Sequence, residues 1–284
     1  MNTTQDFDND FEIKWCPGCG NFGILDAMKN AFSNLDLAPK DVLLISGIGQ
    51  AAKTPHFLNC NMFHTLHGRA LAVATGAKIA NHDLTIVVNS GDGDCYGEGG
   101  NHFMNAVRRN LDLTVLVHNN LVYGLTQGQA SPTSKMGFVT KMQKHGVIAE
   151  PFNPLTIALN LGAGFVARGF SNNREHTRQL IEDGIKHQGF ALIDIVQPCP
   201  TYNKVNTHSW YKKRAQDLYA DNYVPDDLEN ALAMAQQWDD SIPIGIYYQK
   251  AGPTFTDRIG KLADGSLISQ KYDASKLDSY LSVS

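Results

Sequence analysis

The feature that most constrains the fold is a regular alternation of short apolar runs with longer amphipathic segments. The apolar runs are nearly continuous, as in strands buried on both faces, and they cover residues 41–47, 84–91, 113–120, 164–169 and 190–197. The segments with helical spacing cover residues 23–35, 68–81, 99–110, 154–162 and 174–189. Strands and helices in alternation predict an α/β fold with a mostly parallel sheet flanked by helices.

Two stretches depart from this alternation. Residues 121–152 are rich in Gly, Ser, Thr and Pro and have little periodicity, which is typical of a long functional loop. Residues 200–242 form a long excursion in which we expect a helix at 225–238, and 243–249 has the pattern of one further strand. In open parallel sheets ligands bind at the carboxyl ends of the strands, so we expect the functional residues there.

Composition and charge exclude several classes of protein. The 284 residues, 43% of them apolar, suffice for one large or two small globular domains, and a net charge of -4 does not favour nucleic acid as a partner. The N-terminus, MNTTQDFDNDFE, is acidic, unlike a secretory signal, and no apolar run approaches the roughly 20 residues of a membrane-spanning helix. We therefore expect a cytoplasmic protein without a membrane partner.

The strongest local motif is SGDGD at 90–94, followed by HNN at 118–120 where the next expected strand ends. The glycines beside Asp92 let backbone amides approach a diphosphate, and the carboxylate can bind a divalent cation. Asn120 follows one helix and one parallel strand later, so its amide oxygen reaches the same edge of the sheet. Mg²⁺ prefers oxygen ligands and often bridges carboxylates to phosphates. An ordinary turn and an ordinary strand end are the alternative.

The cysteines form a second pattern. Cys16 and Cys19 stand in WCPGCG, Cys199 stands in QPCP, and the total of five is odd. In a cytoplasmic chain these numbers argue against a disulfide framework and for free thiols or ligands. The residues alone leave three possibilities open, namely an iron–sulfur cluster, a zinc site and a redox disulfide.

The order of these motifs resembles a known family. GDG followed by NN is similar to the thiamine-diphosphate-binding motif. Together with SGIG, HTLHGRA, GGNHF, RRN and YGLTQGQASPTS, the motifs resemble the β subunit of 2-oxoacid:ferredoxin oxidoreductases over residues 11–211. The resemblance implies a thiamine-diphosphate-binding α/β domain over 1–200 with an N-terminal Fe–S loop. Residues 201–284 would then be a C-terminal extension with a final strand and a tail that contacts a partner.

The resemblance assigns the cofactor site to particular residues. It places Mg²⁺ on Asp92, Asn120 and the carbonyl of Val122. The other residues that it places against thiamine diphosphate are His67, Gly68, Arg69, Gly91, Gly93, Asp94 and Gly124. A histidine and an arginine at a helix start suit an anion, although a histidine there can also be structural.

The substrate residues are also implied by the resemblance. Lys53 would meet the carboxylate of a 2-oxoacid, and a plain surface lysine is the alternative. Leu125 and Thr126 lie in the loop that would cover the cofactor and shape the acyl pocket, and they are our candidates there.

The cluster ligands include one departure from the family. The resemblance implies a [4Fe–4S] cluster on Cys16, Cys19 and Cys199, with a fourth cysteine directly after SGIG, where this chain has Gln50. A glutamine suits iron in a sulfide cluster poorly. Cys95 would face other negative charge beside the diphosphate, so we expect Cys60 as the fourth ligand. A cluster with a non-cysteine ligand, or none, is the alternative.

The implied activity is the coenzyme A-dependent oxidative decarboxylation of a 2-oxoacid, with electrons passed through the cluster to ferredoxin. We favour 2-oxoglutarate as the substrate, with pyruvate next. The chain leaves no room for the second α/β domain that activates the pyrimidine ring, so we expect an α subunit in a heterodimer or a dimer of heterodimers. A non-redox thiamine-diphosphate decarboxylase or synthase half-subunit and a zinc-binding regulatory protein are the alternatives.

Overall fold

A computed structural model of the chain describes residues 1–263, 265–271, 273–275, 277 and 281. The strands in this part are β1 (Val42–Ser46), β2 (Asn61–His64), β3 (Thr85–Gly91), β4 (Leu113–Asn119), β5 (Val122–Tyr123), β6 (Gln129–Ala130), β7 (Phe165–Phe170), β8 (Phe190–Val196), β9 (Ala215–Asp217) and β10 (Ile242–Gln249). The α-helices are α1 (Asn21–Asn34), α2 (Ala70–Ala80), α3 (Gly100–Arg109), α4 (Pro154–Asn160), α5 (Arg174–Lys186), α6 (His208–Arg214), α7 (Leu228–Ala235) and α8 (Gly260–Ala263).

Within the described residues, eight strands form one sheet in the order β2-β1-β3-β4-β8-β7-β10-β9. The strands from β2 to β7 in this order are parallel to one another, and β10 is antiparallel to β7. Strand β9 pairs with β10 in parallel, and β5 and β6 form a separate antiparallel hairpin. The predicted α/β fold with a mostly parallel sheet is therefore confirmed.

Helices cover both faces of this sheet. One face packs against α1 and α5, and the other packs against α2, α3, α4 and α7. The side chains of β4 alternate between the two cores, since Val115 and Val117 belong to one cluster and Leu116 to the other. Because both sides are covered, the central strands need apolar residues at most positions, and this explains the nearly continuous apolar runs in the sequence.

Several elements were not expected from the sequence. Strand β2 pairs with β1 at an edge of the sheet, and its four side chains are exposed, so it lacks an apolar run. The hairpin of β5 and β6 lies inside the loop expected at 121–152. Helix α7 is shorter than the predicted 225–238, because Asp227 caps it by accepting bonds from the backbone N–H groups of Glu229 and Asn230.

The C-terminal part of the chain shares the main sheet. Strands β9 and β10 extend it beyond β7, and β10 is the strand expected at 243–249. The division at residue 200 stays a prediction, and part of the expected tail lies outside the described residues.

Candidate active site

Asp92 begins the turn that follows β3 and is almost fully buried. Its Oδ2 accepts hydrogen bonds from Ser131 Oγ at 2.5 Å and from Thr133 Oγ1 at 2.6 Å. Burial raises the pKa of this carboxyl to about 6, while the two hydroxyls and the Gly93 N–H act in the opposite direction. Since both hydroxyls bond to Oδ2, neither competes with a cation for Oδ1.

Asp94, also buried, ties three loops together. Its Oδ1 accepts the backbone N–H groups of Gly68 at 2.7 Å and Ile48 at 3.1 Å, and its Oδ2 accepts the Ser90 hydroxyl at 2.5 Å. The Nδ1 of His67 lies 2.9 Å from the same Oδ1. These partners satisfy the carboxylate with protein donors, so Asp94 shapes the loop that surrounds a ligand.

The end of β4 supplies the second half of the site. Leu121 has a φ of 62°, which is strained for a residue with a side chain, and this reversal carries the chain from Asn120 into β5. The Oδ1 of Asn120 accepts the backbone N–H of Val122 at 3.0 Å. Strained backbone is common at functional sites, and here it turns the chain at the edge of the sheet.

The ring of Tyr123 packs against Gly93 in the turn that follows β3. A Cβ at Gly93 would lie 2.3 Å from the Cε1 atom of this ring, so position 93 requires glycine while the ring stays in place. The hydroxyl donates to Glu98 Oε2 at 3.1 Å. The hairpin of β5 and β6 is thereby held against the turn that follows β3.

These elements surround one cavity at the carboxyl ends of β1, β3 and β4, which we call the strand-end cavity. Its walls include ten of the residues that the sequence predicts or implies for the cofactor and acyl pocket: His67, Gly91, Asp92, Gly93, Asp94, Asn120, Val122, Gly124, Leu125 and Thr126. Ile48, Gly49, Gln50, Ala51, His118 and Tyr123 complete the lining. The predicted residues therefore converge from loops that are far apart in the chain.

Three predicted residues do not line this cavity. Gly68 donates its N–H to Asp94 behind the wall and has a φ of 71°. Arg69 is exposed and its Nη1 lies 2.8 Å from His102 Nε2. Lys53 is half-buried in the 3-10 helix Ala51–Phe57, whose first residue does line the cavity.

A second pocket, which we call the cysteine pocket, adjoins the strand-end cavity. Cys16, Cys19 and Cys199 line it, together with Trp15, Asn21, Gln50, Asn120, Gly124, Pro198, Pro200, Thr201 and Tyr202. Burial raises the pKa of the Cys19 thiol to about 11, and the nearby Cys199 and Cys16 raise it further. The backbone N–H of Asn21 acts in the opposite direction. Gln50, Asn120 and Gly124 line both spaces, so these three residues separate them.

The other two cysteines lie elsewhere. Cys60 stands directly before β2 and packs against the core on the α1 and α5 face of the sheet, and burial raises the pKa of its thiol to about 11. Cys95 is fully buried in the π-helical turn Gly93–Glu98, where burial and the charge of Asp94 raise its pKa. The structure thus brings together three of the four predicted cluster ligands, and Cys60 does not join them.

The oxygen atoms of the strand-end cavity and the thiols of the cysteine pocket are chemically suited to the magnesium ion and the iron–sulfur cluster that the sequence predicts. Carboxylate, amide and carbonyl oxygens suit Mg²⁺, and three thiols with flanking prolines suit a sulfide cluster. Within the part of the chain that the structure describes, no group of three or more His, Cys, Asp or Glu side chains already has metal-holding geometry. Both the magnesium site and the cluster therefore remain predictions.

A buried polar network behind the strand ends was missed by sequence reasoning. Asp194 on β8 accepts the Tyr96 hydroxyl at 2.9 Å and the Asn119 amide at 3.1 Å. Arg168 on β7 lies 3.7 Å from the same carboxylate and stacks over the rings of Trp238 and Tyr247. Burial raises the pKa of Asp194, while Arg168 opposes the rise. In the sequence, only the charged residues Arg168 and Asp194 inside two otherwise apolar runs could have indicated this network.

Comparison with known proteins agrees with this architecture. Residues 46–195 match the family model described as thiamine pyrophosphate enzyme, C-terminal TPP binding domain. Residues 199–264 match the family model for the C terminal of the pyruvate ferredoxin oxidoreductase beta subunit. The parallel sheet and the glycine-flanked aspartate at its edge thus define a thiamine-diphosphate-binding enzyme domain.

The relatives narrow the class further. A 2-oxoacid:ferredoxin oxidoreductase subunit beta of Saccharolobus solfataricus is 47% identical over 87% of this chain and 85% of its own length. A 2-oxoglutarate synthase subunit of Archaeoglobus fulgidus is 34% identical over 87% of this chain and 89% of its own length. The chain belongs to the β subunits of the 2-oxoacid:ferredoxin oxidoreductases, which confirms the family and the enzyme class expected from its motifs.

One solved structure covers nearly the whole chain. It is 2-oxoglutarate:ferredoxin oxidoreductase from Magnetococcus marinus with 2-oxoglutarate, coenzyme A and succinyl-CoA bound. The alignment has a TM-score of 0.92 and 35% identity, and it covers 98% of this chain and 96% of that one. In the part of our structure that is described, no helix has both the length and the apolar character needed to cross a membrane.

Proposed function

We propose that this β subunit takes part in the coenzyme A-dependent oxidative decarboxylation of 2-oxoglutarate, with electrons passing through a [4Fe–4S] cluster to ferredoxin. One observation carries the proposal: the strand-end cavity and the cysteine pocket share Gln50, Asn120 and Gly124 as lining residues. A cofactor that collects electrons and a cluster that removes them would therefore be separated by a single layer of residues.

The strand-end cavity would hold the diphosphate through Mg²⁺. Asp92, Asn120 and the carbonyl of Val122 would bind the ion, and the Ser131 and Thr133 hydroxyls orient the Asp92 carboxylate from behind. When bound, thiamine diphosphate adds to the keto carbon of a 2-oxoacid and takes up the electrons released with CO₂.

The substrate residues are the less defined part of the site. Leu125 and Thr126 are exposed at the mouth of the cavity, where they can contact an acyl chain. Lys53 lies beside the wall, so its contact with the substrate carboxylate would need the side chain to extend along the 3-10 helix. The names of the Archaeoglobus and Magnetococcus relatives support 2-oxoglutarate as the substrate.

A partner is part of the proposal. The relatives are named as β subunits, and this chain has one α/β sheet in its described part, so we infer that an α subunit supplies the pyrimidine half of the cofactor site. Coenzyme A would take the acyl group in the assembled enzyme, and ferredoxin would take the electrons.

The test uses the chain co-purified with its α subunit under anaerobic conditions. A panel of 2-oxoacids is supplied with coenzyme A and a viologen acceptor, and we expect the highest kcat/KM with 2-oxoglutarate. Pyruvate as the better substrate would overturn the substrate assignment. Decarboxylation that proceeds without acceptor and without bound iron would instead favour a non-redox thiamine enzyme.

A further inference from the structure

The cysteine pocket offers three thiols, and the residue expected to complete the set is held elsewhere. Cys60 precedes Asn61, which pairs with Leu43 in the ladder between β1 and β2. The side chain of Cys60 packs against the core on the α1 and α5 face of the sheet and does not line the cysteine pocket. To reach the other cysteines it would have to leave this contact and disturb the edge of the sheet.

Gln50 already stands in the pocket. The residue lines both the cysteine pocket and the strand-end cavity. Its Oε1 is buried and accepts no hydrogen bond from any residue that the structure describes. A buried acceptor without a hydrogen bond is unfavourable, so this oxygen is expected to have a partner in the working protein.

The backbone of Gln50 is tied to the loop that carries the first two cysteines. Its carbonyl accepts the indole N–H of Trp15 at 2.9 Å, and Trp15 directly precedes Cys16. The ring of Trp15 also packs edge-on against Phe57, at the end of the 3-10 helix that follows Gln50. The backbone of Gln50 is thus held against the loop that carries Cys16 and Cys19.

We propose that the fourth corner of the cluster is bound by the side-chain oxygen of Gln50, and that Cys60 is not a ligand. This inference rests on the proposed function, because it presupposes the cluster. A carboxamide oxygen is neutral and hard, so it binds iron in a sulfide cluster more weakly than a thiolate does. The iron at this corner is therefore the one that leaves most easily.

Two properties follow from a neutral ligand in place of a thiolate. Mild oxidation of [4Fe–4S]²⁺ passes one electron to the oxidant and releases one Fe²⁺, which leaves [3Fe–4S]⁺. The reduction potential is also higher than with four thiolates, since the cluster carries less negative charge. Both properties belong to the bound cluster and can be measured without turnover.

The experiment compares Gln50→Cys, Cys60→Ser and Cys19→Ser with the natural chain, each in the anaerobically purified complex with the α subunit. Iron is counted before and after oxidation by ferricyanide, and EPR records three-iron clusters. The Cys19→Ser complex supplies the baseline for iron held outside this pocket. Thiamine diphosphate binding and thermal unfolding show whether each variant is assembled.

We expect the natural chain and Cys60→Ser to hold equal iron and to give the three-iron signal on oxidation. The Gln50→Cys cluster should keep its iron and have a lower reduction potential. Loss of the cluster in Cys60→Ser overturns the inference, and so does a Gln50→Cys cluster that loses iron as readily as the natural one. If Gln50→Cys does not assemble, the iron content of Cys60→Ser decides between the outcomes: iron equal to that of the natural chain supports the inference, and loss of iron overturns it. Iron no higher than in Cys19→Ser would instead refute the cluster of the proposed function.

Discussion

Replacing Thr133 with valine tests how the Asp92 carboxylate is held. Valine keeps the shape of threonine and removes the hydroxyl that donates to Asp92 Oδ2 at 2.6 Å. A hydrogen bond to a charged group contributes about 1.5–3 kcal/mol, and about 1.4 kcal/mol corresponds to one pKa unit. The substitution should therefore raise the pKa of Asp92 by about one unit or more.

The effect on the metal site can be worked out from the pKa of about 6 that burial gives this carboxyl. At pH 7 such a group is about nine-tenths ionised, and a rise of one unit lowers the ionised fraction to about one half. Mg²⁺ binds the ionised form. Loss of the orienting bond adds to this effect, since removing a partner behind a metal ligand typically lowers affinity about 10–100-fold.

The assay is a Mg²⁺ titration of the intact complex at saturating thiamine diphosphate, carried out at pH 7 and at pH 8.5. Raising the pH should recover the part of the loss that is due to protonation, and the part due to orientation should persist. Thr140→Val is the matched control, because Thr140 lies in the same segment and bonds to Gln143, away from the cavity. An affinity at pH 7 within about twofold of the natural complex would refute the reasoning, given the expected range.

Three further predictions concern the fold, its pH dependence and its assembly. Gly47→Ala should lower the midpoint of thermal unfolding, because the new Cβ would lie 1.7 Å from Asp94 Oδ2. Gly76→Ala in α2 meets no atom within 4 Å and should instead stabilise, by about 0.5–1 kcal/mol. Burial lowers the pKa of His118 to about 3, so the stability that its neutral form contributes is full above pH 6.5 and falls below it. We expect a loss of about 2 kcal/mol by pH 5 in urea unfolding, and equal losses in His118→Asn would contradict this. The chain without its α subunit should bind thiamine diphosphate poorly and show no turnover, and activity in the isolated chain would disprove the need for a partner.

The sequence alone determined the fold class and most of the cavity wall. The continuous apolar runs at 84–91 and 113–120 predict neighbouring buried strands, and parallel strands end at one edge of their sheet. Asp92 directly follows the first run and Asn120 ends the second, so their place on one cavity wall follows from local pattern and topology. These inferences succeed because hydrophobic periodicity is a short-range property that the sheet preserves.

Only the tertiary structure decided which side chains support Asp92 at this edge. Ser131 and Thr133 reach Asp92 from 39 and 41 residues away, through a loop whose path has no periodic signal. Cys60 is a suitable ligand by its chemistry, yet it stands before the edge strand β2 and outside the pocket that Gln50 and the other three cysteines line. Contacts of this kind depend on how loops pack over the strand ends, and residue spacing along the chain carries no information about that packing.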